Sequence, residues 1–342
     1  MDELKDFIIA DSDRRVLAKL EGFVPEKVFD LHAHLFDTAY LPNMAVEGSL
    51  FGACGKVADR DTYERFQSPL YPGLKKLRLN LITVPDAAMA DRTNGLRVRS
   101  LEFLKEYLEK NPDDVGEAFV LPDDTFDDLK GLLVHPNIRG FKCYHLAAAK
   151  KPTFQAEIGE YLPESAWRAA DEYGLCITLH MVKDAVLADP SNNEYIRKMA
   201  RKYPGARLIL AHAARGFASW TVMEGIKKLS GISNIYYDVS AVNEPAAICT
   251  VLKYAEAGRV LWGSDFPVSM SRGKSISIGD SFVWIKQRDL KGHPVQEASE
   301  ACLSGVEGLF ALKQACEILD LDRAAVEDIF YTNAMRMFGL SD

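Results

Sequence analysis

The chain has 342 residues, of which 48% are hydrophobic and 26% are charged. These proportions exclude a disordered or collagen-like chain and are typical of a globular protein. The formal net charge of −8 argues against nonspecific binding to nucleic acid. It does not exclude a local basic pocket for a small anion.

The start of the chain is charged from its second residue and lacks the apolar core of a signal peptide. No later segment has the length and apolar composition of a membrane span. Six cysteines are scattered without a CxxC pair, at positions 54, 143, 176, 249, 302 and 316. We therefore predict a cytoplasmic protein that has reduced thiols and does not bind membranes.

After an N-terminal helix that contains residues 14–20, eight apolar runs of strand length follow one another along the chain. They lie at residues 28–33, 77–84, 115–121, 138–144, 176–181, 207–213, 235–239 and 260–264. The segments between them show helical spacing, as at residues 96–110 and 162–174. Strict alternation of strands and helices predicts a parallel sheet with crossover helices.

Two parallel arrangements are open, a closed barrel and a doubly wound sheet. The first run leads into His32-Ala33-His34 and not into the glycine fingerprint that opens many doubly wound folds. Eight runs is also the number that a closed barrel needs. We predict an α/β fold, namely a distorted (β/α)8 TIM barrel that forms one domain over residues 1–342.

Two connections are longer than a minimal barrel requires. Residues 37–73 form an insertion after strand one, and residues 268–282 follow strand eight. Because connections after barrel strands lie on the catalytic face, we expect the insertion to cover the mouth of the active site.

Histidines and one aspartate recur at the ends of these strands. His32 and His34 are two residues apart, so both side chains leave the strand on the same side. An isolated pair of this kind is more often a hydrogen-bonded pair, and a lone His180 is more often a core residue. Together with Asp265 at a matching strand end, the set predicts a divalent metal site with ligands His32, His34, His180 and Asp265.

Asp265 and His212 are the predicted catalytic residues. A carboxylate beside a metal-activated water can bind the ion and also accept the proton of that water, although an aspartate before proline can equally cap a turn. His212 either binds a second metal or acts on the substrate as an acid, a base or an electrophile.

Five further residues are predicted to bind the substrate. Lys142 and Tyr144 share one side of strand four, where a lysine is costly unless it contacts an anion, is carbamylated between two metals, or extends to solvent. Arginine recognises carboxylates and phosphates bidentately, so cations on the mouth loops indicate an anionic substrate, although solvated loop charges are commoner. The full set is Lys142, Tyr144, Arg215, Arg272 and Lys274.

Several motifs, taken together and in this order, resemble the amidohydrolase superfamily, in particular the amidohydrolase-related branch that includes aminocarboxymuconate-semialdehyde decarboxylase. They are FDLHAHLF from Phe29, RGFK from Arg139, His180, LILAHAARG from Leu208, LWGSDFP from Leu261 and YTNAMRMFGL from Tyr331.

The resemblance implies a distorted barrel with one divalent metal on His32, His34, His180 and Asp265. It also implies that His212 positions or polarises the substrate and its water. A second metal bridged by carbamylated Lys142 is the less favoured form. Tyr144 departs from the branch, which frequently has histidine at that position.

We predict a metal-dependent hydrolase that uses a metal-activated water on an amide, ester or lactone of a small anionic substrate. The alternatives are a nonoxidative decarboxylase on the same metal site and a barrel that binds a ligand without catalysis. The expected ion is zinc, with manganese or iron as alternatives, and homo-oligomerisation is left open. Asp30, two residues before His32, is one candidate to orient the ligand histidines.

Overall fold

The computed structural model describes residues 9–290 and 300–341. Eight parallel strands, β1 to β8, follow one another around the sheet in chain order. They are Lys27–Ala33, Lys76–Ile82, Val115–Phe119, Ile138–Cys143, Cys176–Leu179, Arg207–Leu210, Ile235–Asp238 and Val260–Leu261. All eight predicted strands are present, and the prediction of a TIM barrel is confirmed.

Backbone hydrogen bonds bring β8 back to β1. The amide of Leu31 donates to the carbonyl of Trp262 at 3.0 Å, and the amide of His34 donates to Phe266 at 2.9 Å. Between them, the amide of Asp265 donates to the carbonyl of His32 at 2.7 Å. The closure of the barrel therefore holds the segment after β8 against the end of β1.

Helices connect the strands and flank the barrel. The crossover helix predicted at residues 96–110 is Leu96–Lys110, and the one predicted at 162–174 is Glu164–Tyr173, which ends at Gly174 in the left-handed conformation that glycine favours. The other α-helices of the described residues are Asp11–Lys19, Leu50–Ala53, Arg60–Gln67, Phe126–Gly131, Pro190–Lys202, Ser219–Gly225, Pro245–Tyr254, Ser304–Ile318, Arg323–Glu327 and Asn333–Phe338.

In the described part of the chain, no helix combines the length and apolar character that a bilayer span requires. The six cysteines are free, and all except the half-buried Cys249 are buried. Residues 1–8, on which the expectation about a signal peptide partly rests, lie outside the described residues.

The end of the barrel where the strands begin is filled by apolar side chains. Phe29 and Leu31 of β1 belong to a cluster with Val115, Cys176, Ile209 and Leu261 of other strands and with residues of the last helix. Phe29 stacks on Phe338 with ring centres 5.7 Å apart. We call this set the amino-end cluster: Phe29, Leu31, Val115, Cys176, Ile209, Leu261, Tyr331, Ala334, Met335, Met337 and Phe338.

The two long connections have secondary structure of their own. The insertion contains a short antiparallel pair, Phe36–Asp37 with Val57–Ala58, and the helices Leu50–Ala53 and Arg60–Gln67. The connection after β8 forms an antiparallel hairpin of strands β9, Gly273–Ile278, and β10, Ser281–Lys286, which the sequence analysis did not predict.

Candidate metal centre

A cavity of about 300 Å³ lies where the barrel strands end. The insertion contributes Met44 and Phe51 to its wall, and the hairpin contributes Trp284. The expectation that the insertion covers this mouth stays a prediction. The lining residues are His32, His34, Met44, Phe51, Val84, Pro85, Lys142, Tyr144, His180, His212, Phe217, Asp265, Val268 and Trp284.

Three of the predicted ligands converge at the base of the cavity. The Oδ1 atom of Asp265 lies 3.6 Å from Nε2 of His32 and 3.4 Å from Nε2 of His34. All three residues are buried, and their ligand atoms lie close enough together to hold one ion. The β1 and β8 ends meet here because the barrel closes at this point.

Neighbouring acceptors fix the protons of the two histidines. His32 donates from Nδ1 to Oδ2 of Asp238 at 3.1 Å, and His34 donates from Nδ1 to the carbonyl of Ile82 at 2.8 Å. A carboxylate and a carbonyl can only accept, so the proton of each neutral ring sits on Nδ1. Both Nε2 atoms therefore direct their lone pairs toward Asp265.

The ionisation of this group fits a cation. Burial, helped by the charge of Lys142, lowers the pKa of His32 to about 4, so the ring is neutral at pH 7. Burial opposes ionisation of Asp265, but the nearby His212, His34 and His32 hold its pKa at about 2. Two lone pairs thus face an ionised carboxylate, and a divalent ion among them would turn this repulsion into attraction. The residues present therefore fit a metal.

Asp265 also has an uncommon backbone conformation. Its φ of +57° lies in the left-handed region, which a residue other than glycine adopts at a cost. The bond from its amide to the carbonyl of His32 holds it there and turns the carboxylate toward the histidines.

His212 follows β6 in a left-handed turn. Positive φ values run from His212 through Arg215, with 58°, 50°, 59° and 56° for the four residues. The His212 ring stacks on His32 at 4.9 Å and on Phe217 at 5.7 Å. Its Nδ1 atom faces Ser240, 2.9 Å from Oγ and 3.1 Å from the carbonyl oxygen.

His180 lines the same cavity but stands apart from the three converging residues. Its ring lies 4.5 Å from Tyr144 and 5.1 Å from His212 between ring centres. Burial and the neighbouring His212 lower its pKa well below the usual value, so it is neutral and able to ligate. The assignment of His180 as a ligand stays a prediction.

Lys142 is completely enclosed beside the centre. Its Nζ lies 3.4 Å from Nε2 of His32, and burial lowers its pKa while Glu117 opposes that change. A second group of candidate ligands, His32, His212 and Asp238, adjoins the first. The two-metal form with carbamylated Lys142 stays a prediction.

The predicted substrate-binding residues separate into two groups. Lys142 and Tyr144 line the cavity. Arg215 is buried next to it, with its guanidinium 4.6 Å from the Phe154 ring centre and 5.3 Å from that of Phe282. It donates to the carbonyl of Lys183, and within residues 9–290 and 300–341 no carboxylate lies at ion-pair distance from it.

Arg272 and Lys274 point elsewhere. Arg272 pairs with Asp13 at 2.9 Å, and Lys274 pairs with Glu307 at 3.2 Å. Neither residue lines the cavity. Their assignment to substrate binding therefore stays a prediction that this geometry does not support.

Asp238 is the residue at this centre that the sequence analysis missed. It is the last residue of β7 and the last but one of the predicted run at residues 235–239, so the same strand-end position that singled out the histidines could have found it. Asp30, the candidate named instead, accepts from the amides of His32 and Ser264 and from the hydroxyl of Tyr63, and from no imidazole of the described residues. It shapes the backbone under the site, and burial raises its pKa to about 6.

Comparisons with known proteins identify one family. A model of the amidohydrolase family matches residues 29–340. A search of curated protein sequences finds no match.

Solved structures share the fold. An amidohydrolase from Burkholderia multivorans with bound zinc is 14% identical, with a TM-score of 0.57, and the match covers 92% of this chain and 100% of that one. A dihydroxybenzoic acid decarboxylase from Polaromonas sp. JS666 with bound manganese and 2-nitroresorcinol is 15% identical, with a TM-score of 0.57 and coverage of 92% and 97%. A candidate 2-pyrone-4,6-dicarboxylic acid hydrolase from Pseudomonas putida is 16% identical, with a TM-score of 0.54 and coverage of 92% and 98%.

Proposed function

The chain is an enzyme that belongs to the amidohydrolase family, and we propose that it hydrolyses an amide, ester or lactone of a small anionic substrate. The reaction would take place at one divalent metal held by His32, His34 and Asp265. His180 is the predicted fourth ligand, and zinc is the expected ion because neutral imidazoles and a carboxylate suit it.

One observation carries this proposal. Two imidazole Nε2 atoms and one carboxylate oxygen converge within 3.4 to 3.6 Å, and the outer nitrogen of each ring is already hydrogen-bonded to an acceptor. Buried groups of this kind rarely converge without a cation to neutralise them. When bound, the ion would lower the pKa of a water and polarise a substrate oxygen.

The protein side chains would handle the protons. Asp265 is ionised at neutral pH, so one of its oxygens can accept a proton from water while the other faces the histidines. His212 lines the same cavity beside His32, where it can exchange a proton with the substrate or stabilise the oxygen on which charge develops. Phe51, Phe217 and Trp284 make part of the surrounding wall apolar.

Arg215 supports an anionic substrate. Among the described residues its buried guanidinium has no carboxylate partner, and the desolvation cost of such a cation would be offset by a bound anion. Its neighbour Phe282 packs on Phe217 at 5.1 Å, so the cation lies directly behind the cavity wall. Tyr144 lines the cavity beside His180, with ring centres 4.5 Å apart, so its hydroxyl can contact the same substrate.

A nonoxidative decarboxylase is the second candidate. Much of the cavity wall is apolar, with Met44, Phe51, Val84, Pro85, Phe217, Val268 and Trp284. An apolar wall strips water from a substrate carboxylate, and this favours its loss as neutral carbon dioxide. Metal ligation by His32, His34 and Asp265 would serve either reaction.

The experiment that tests the proposal has two parts. Elemental analysis of protein purified without chelator should give about one zinc or manganese per chain, whereas about two would favour the bridged form with carbamylated Lys142. Absence of metal after titration with zinc would refute the proposal.

The second part separates the two reactions. Carboxylated esters, lactones, amides and aromatic acids are incubated with the metal-loaded enzyme in ¹⁸O-labelled water. Hydrolysis predicts ¹⁸O in the new carboxylate of the product without release of carbon dioxide. Carbon dioxide release without ¹⁸O in the remaining product would favour the decarboxylase.

A further inference from the structure

We infer that Ser240 is a positioning residue that holds His212 with its proton on Nδ1 and with an unprotonated Nε2 toward the cavity. It does so by bonding to His212 and to Asp238, the partner of His32, at the same time. The catalytic consequence rests on the proposed function, but the position of the proton does not.

The Ser240 hydroxyl directs its proton to Asp238. Both Asp238 and Ser240 are fully buried. The Oδ1 atom of Asp238 accepts from the amide of Ser240 at 3.0 Å, from the amide of His212 at 3.2 Å and, in a short bond, from the Ser240 hydroxyl. Its Oδ2 atom accepts from Nδ1 of His32. The hydroxyl proton therefore belongs to the bond with Asp238.

The direction of the Ser240 hydroxyl determines which nitrogen of His212 carries the proton. With its proton directed to Asp238, Oγ of Ser240 can only accept a hydrogen bond from Nδ1 of His212, 2.9 Å away. The carbonyl oxygen of Ser240 lies 3.1 Å from the same nitrogen, and Oδ2 of Asp265 lies 4.0 Å from it. Each of these three atoms is an acceptor, so the proton of the neutral ring sits on Nδ1.

The consequence changes the role expected for His212. In the neutral ring Nε2 carries a lone pair, so it cannot donate a hydrogen bond that polarises a substrate carbonyl. It acts first as an acceptor and becomes a donor only after it has taken a proton. The polarising role predicted from the sequence therefore belongs to a later stage of the reaction, after proton transfer to His212.

The backbone around His212 shows why such a support is needed. Left-handed backbone conformations are unfavourable for residues other than glycine, and His212, Ala213 and Ala214 all adopt them. The bonds from the amide and the ring of His212 to Asp238 and Ser240 fix the direction of the side chain within this turn. One hydrogen-bonded pair, Asp238 with Ser240, thus orients both the metal ligand His32 and His212.

The test reads the tautomer directly. The full chain is labelled with ¹⁵N-histidine and loaded with zinc, and long-range ¹H–¹⁵N correlation spectra are recorded. The His212 signals are identified by their loss in His212→Gln. The wild type is expected to show His212 protonated on Nδ1 only, and S240A is expected to move its two nitrogen shifts toward each other as both tautomers become populated.

His34 is the internal control, because the carbonyl of Ile82 holds its ring in every variant. Ser275→Ala is the matched variant, because it removes a buried hydroxyl that has no hydrogen-bond partner among the described residues. In Ser275→Ala, the nitrogen shifts of both His34 and His212 should stay at their wild-type values. Ser240→Thr retains a hydroxyl and should restore the wild-type tautomer.

Two results would overturn the inference. A wild-type His212 with its proton on Nε2 would refute it without any variant, even if S240A failed to fold. An S240A spectrum with unchanged His212 shifts would show that the backbone carbonyl suffices and that the hydroxyl has no such role.

Zinc content and kcat are measured on the same samples. On a substrate identified by the ¹⁸O assay, S240A should lower kcat about 10- to 100-fold with KM and zinc content unchanged. An equal loss in S275A would overturn the positioning role. A wild type that lacks metal and turnover would refute the proposed function, while the tautomer is still read from its own spectrum.

Discussion

The two ends of the barrel are built from the same strands but for opposite purposes. In β1, Phe29 and Leu31 pack in the amino-end cluster, whereas His32 and His34 reach the cavity only a few residues later. The amino-end cluster is apolar and closed by the last helix, whereas the cavity end gathers buried imidazoles, carboxylates and a lysine.

This difference shows where the molecule is stable and where it is reactive. Burial of apolar area stabilises the amino-end cluster at any pH and without a ligand. At the cavity end each buried polar group costs free energy unless a partner compensates it. The first region should therefore determine folding, and the second should determine metal binding and turnover with little effect on folding.

Asp265→Asn gives the largest expected effect and falls entirely on the cavity end. The amide has the same shape but neither the charge nor the basicity of the carboxylate, so turnover should fall by about 10²- to 10⁴-fold. Circular dichroism and the melting temperature of the metal-free variant should stay close to wild type. Full activity in this variant would remove Asp265 from both of its roles.

Phe29→Ala tests the other end. The ring is completely buried against Phe338, so its removal should lower the free energy of unfolding by about 3–5 kcal/mol. Urea unfolding measures this loss, and elemental analysis of the folded fraction should still give the wild-type metal content. Val98→Ala, at a site 56% exposed, is the control and should change little. Loss of metal from folded Phe29→Ala would contradict the separation of the two ends.

The fold could be predicted from the sequence because the signals that specify it are local and repeated. Each strand is a short apolar run, each crossover has helical spacing, and the histidines mark the ends of the strands. His32, His34 and Asp265 could be grouped because a parallel barrel brings strand ends together. The hairpin after β8 escaped notice because Ser275 and Ser277 weaken the apolar signal of its first strand.

What the sequence could not give is the direction of individual side chains. Arg272 and Lys274 have the same loop context as Arg215, but their partners, Asp13 and Glu307, are distant in sequence. Asp238 and Ser240 resemble ordinary strand-end polar residues until the fold places them between two imidazoles. Long-range pairing of this kind depends on the closed barrel.

Lowering the pH should act on the cavity end before the amino-end cluster. His32 has a pKa of about 6.5 in the unfolded chain and about 4 in the folded one, so the unfolded chain binds the extra proton between these values. The contribution of the neutral ring is complete above pH 6.5 and is lost as the pH falls to 4, up to about 3 kcal/mol in the metal-free protein.

The same shift should help the enzyme to retain metal in mild acid. Protons compete for Nε2 of His32 only as the pH approaches 4, so zinc measured after dialysis should persist at pH 5.5 and be lost toward pH 4. Asp30 has the opposite effect on stability. Burial raises its pKa to about 6, so the folded chain binds this proton more tightly than the unfolded chain and gains stability as the pH falls below 6. Asp30→Asn should therefore steepen the fall in stability below pH 6. Zinc lost with a midpoint near 6.5 would contradict a buried neutral ligand.

The smallest expected effects distinguish Arg215, which lies behind the cavity wall, from Lys274, which forms an ion pair outside the cavity. Arg215 would meet the substrate anion in a buried setting, where a hydrogen bond to a charged group contributes about 1.5–3 kcal/mol, so Arg215→Gln should raise KM roughly 10- to 100-fold. Lys274 already pairs with Glu307 in a partly exposed position, where such pairs contribute about 1 kcal/mol, so Lys274→Gln should leave KM unchanged and lower stability only slightly. Steady-state kinetics on the substrate identified by the ¹⁸O assay measure both variants. A rise in KM in Lys274→Gln would restore that residue as a substrate contact, and an unchanged KM in Arg215→Gln would mean that its stacking on Phe154 and Phe282 serves only to hold the hairpin.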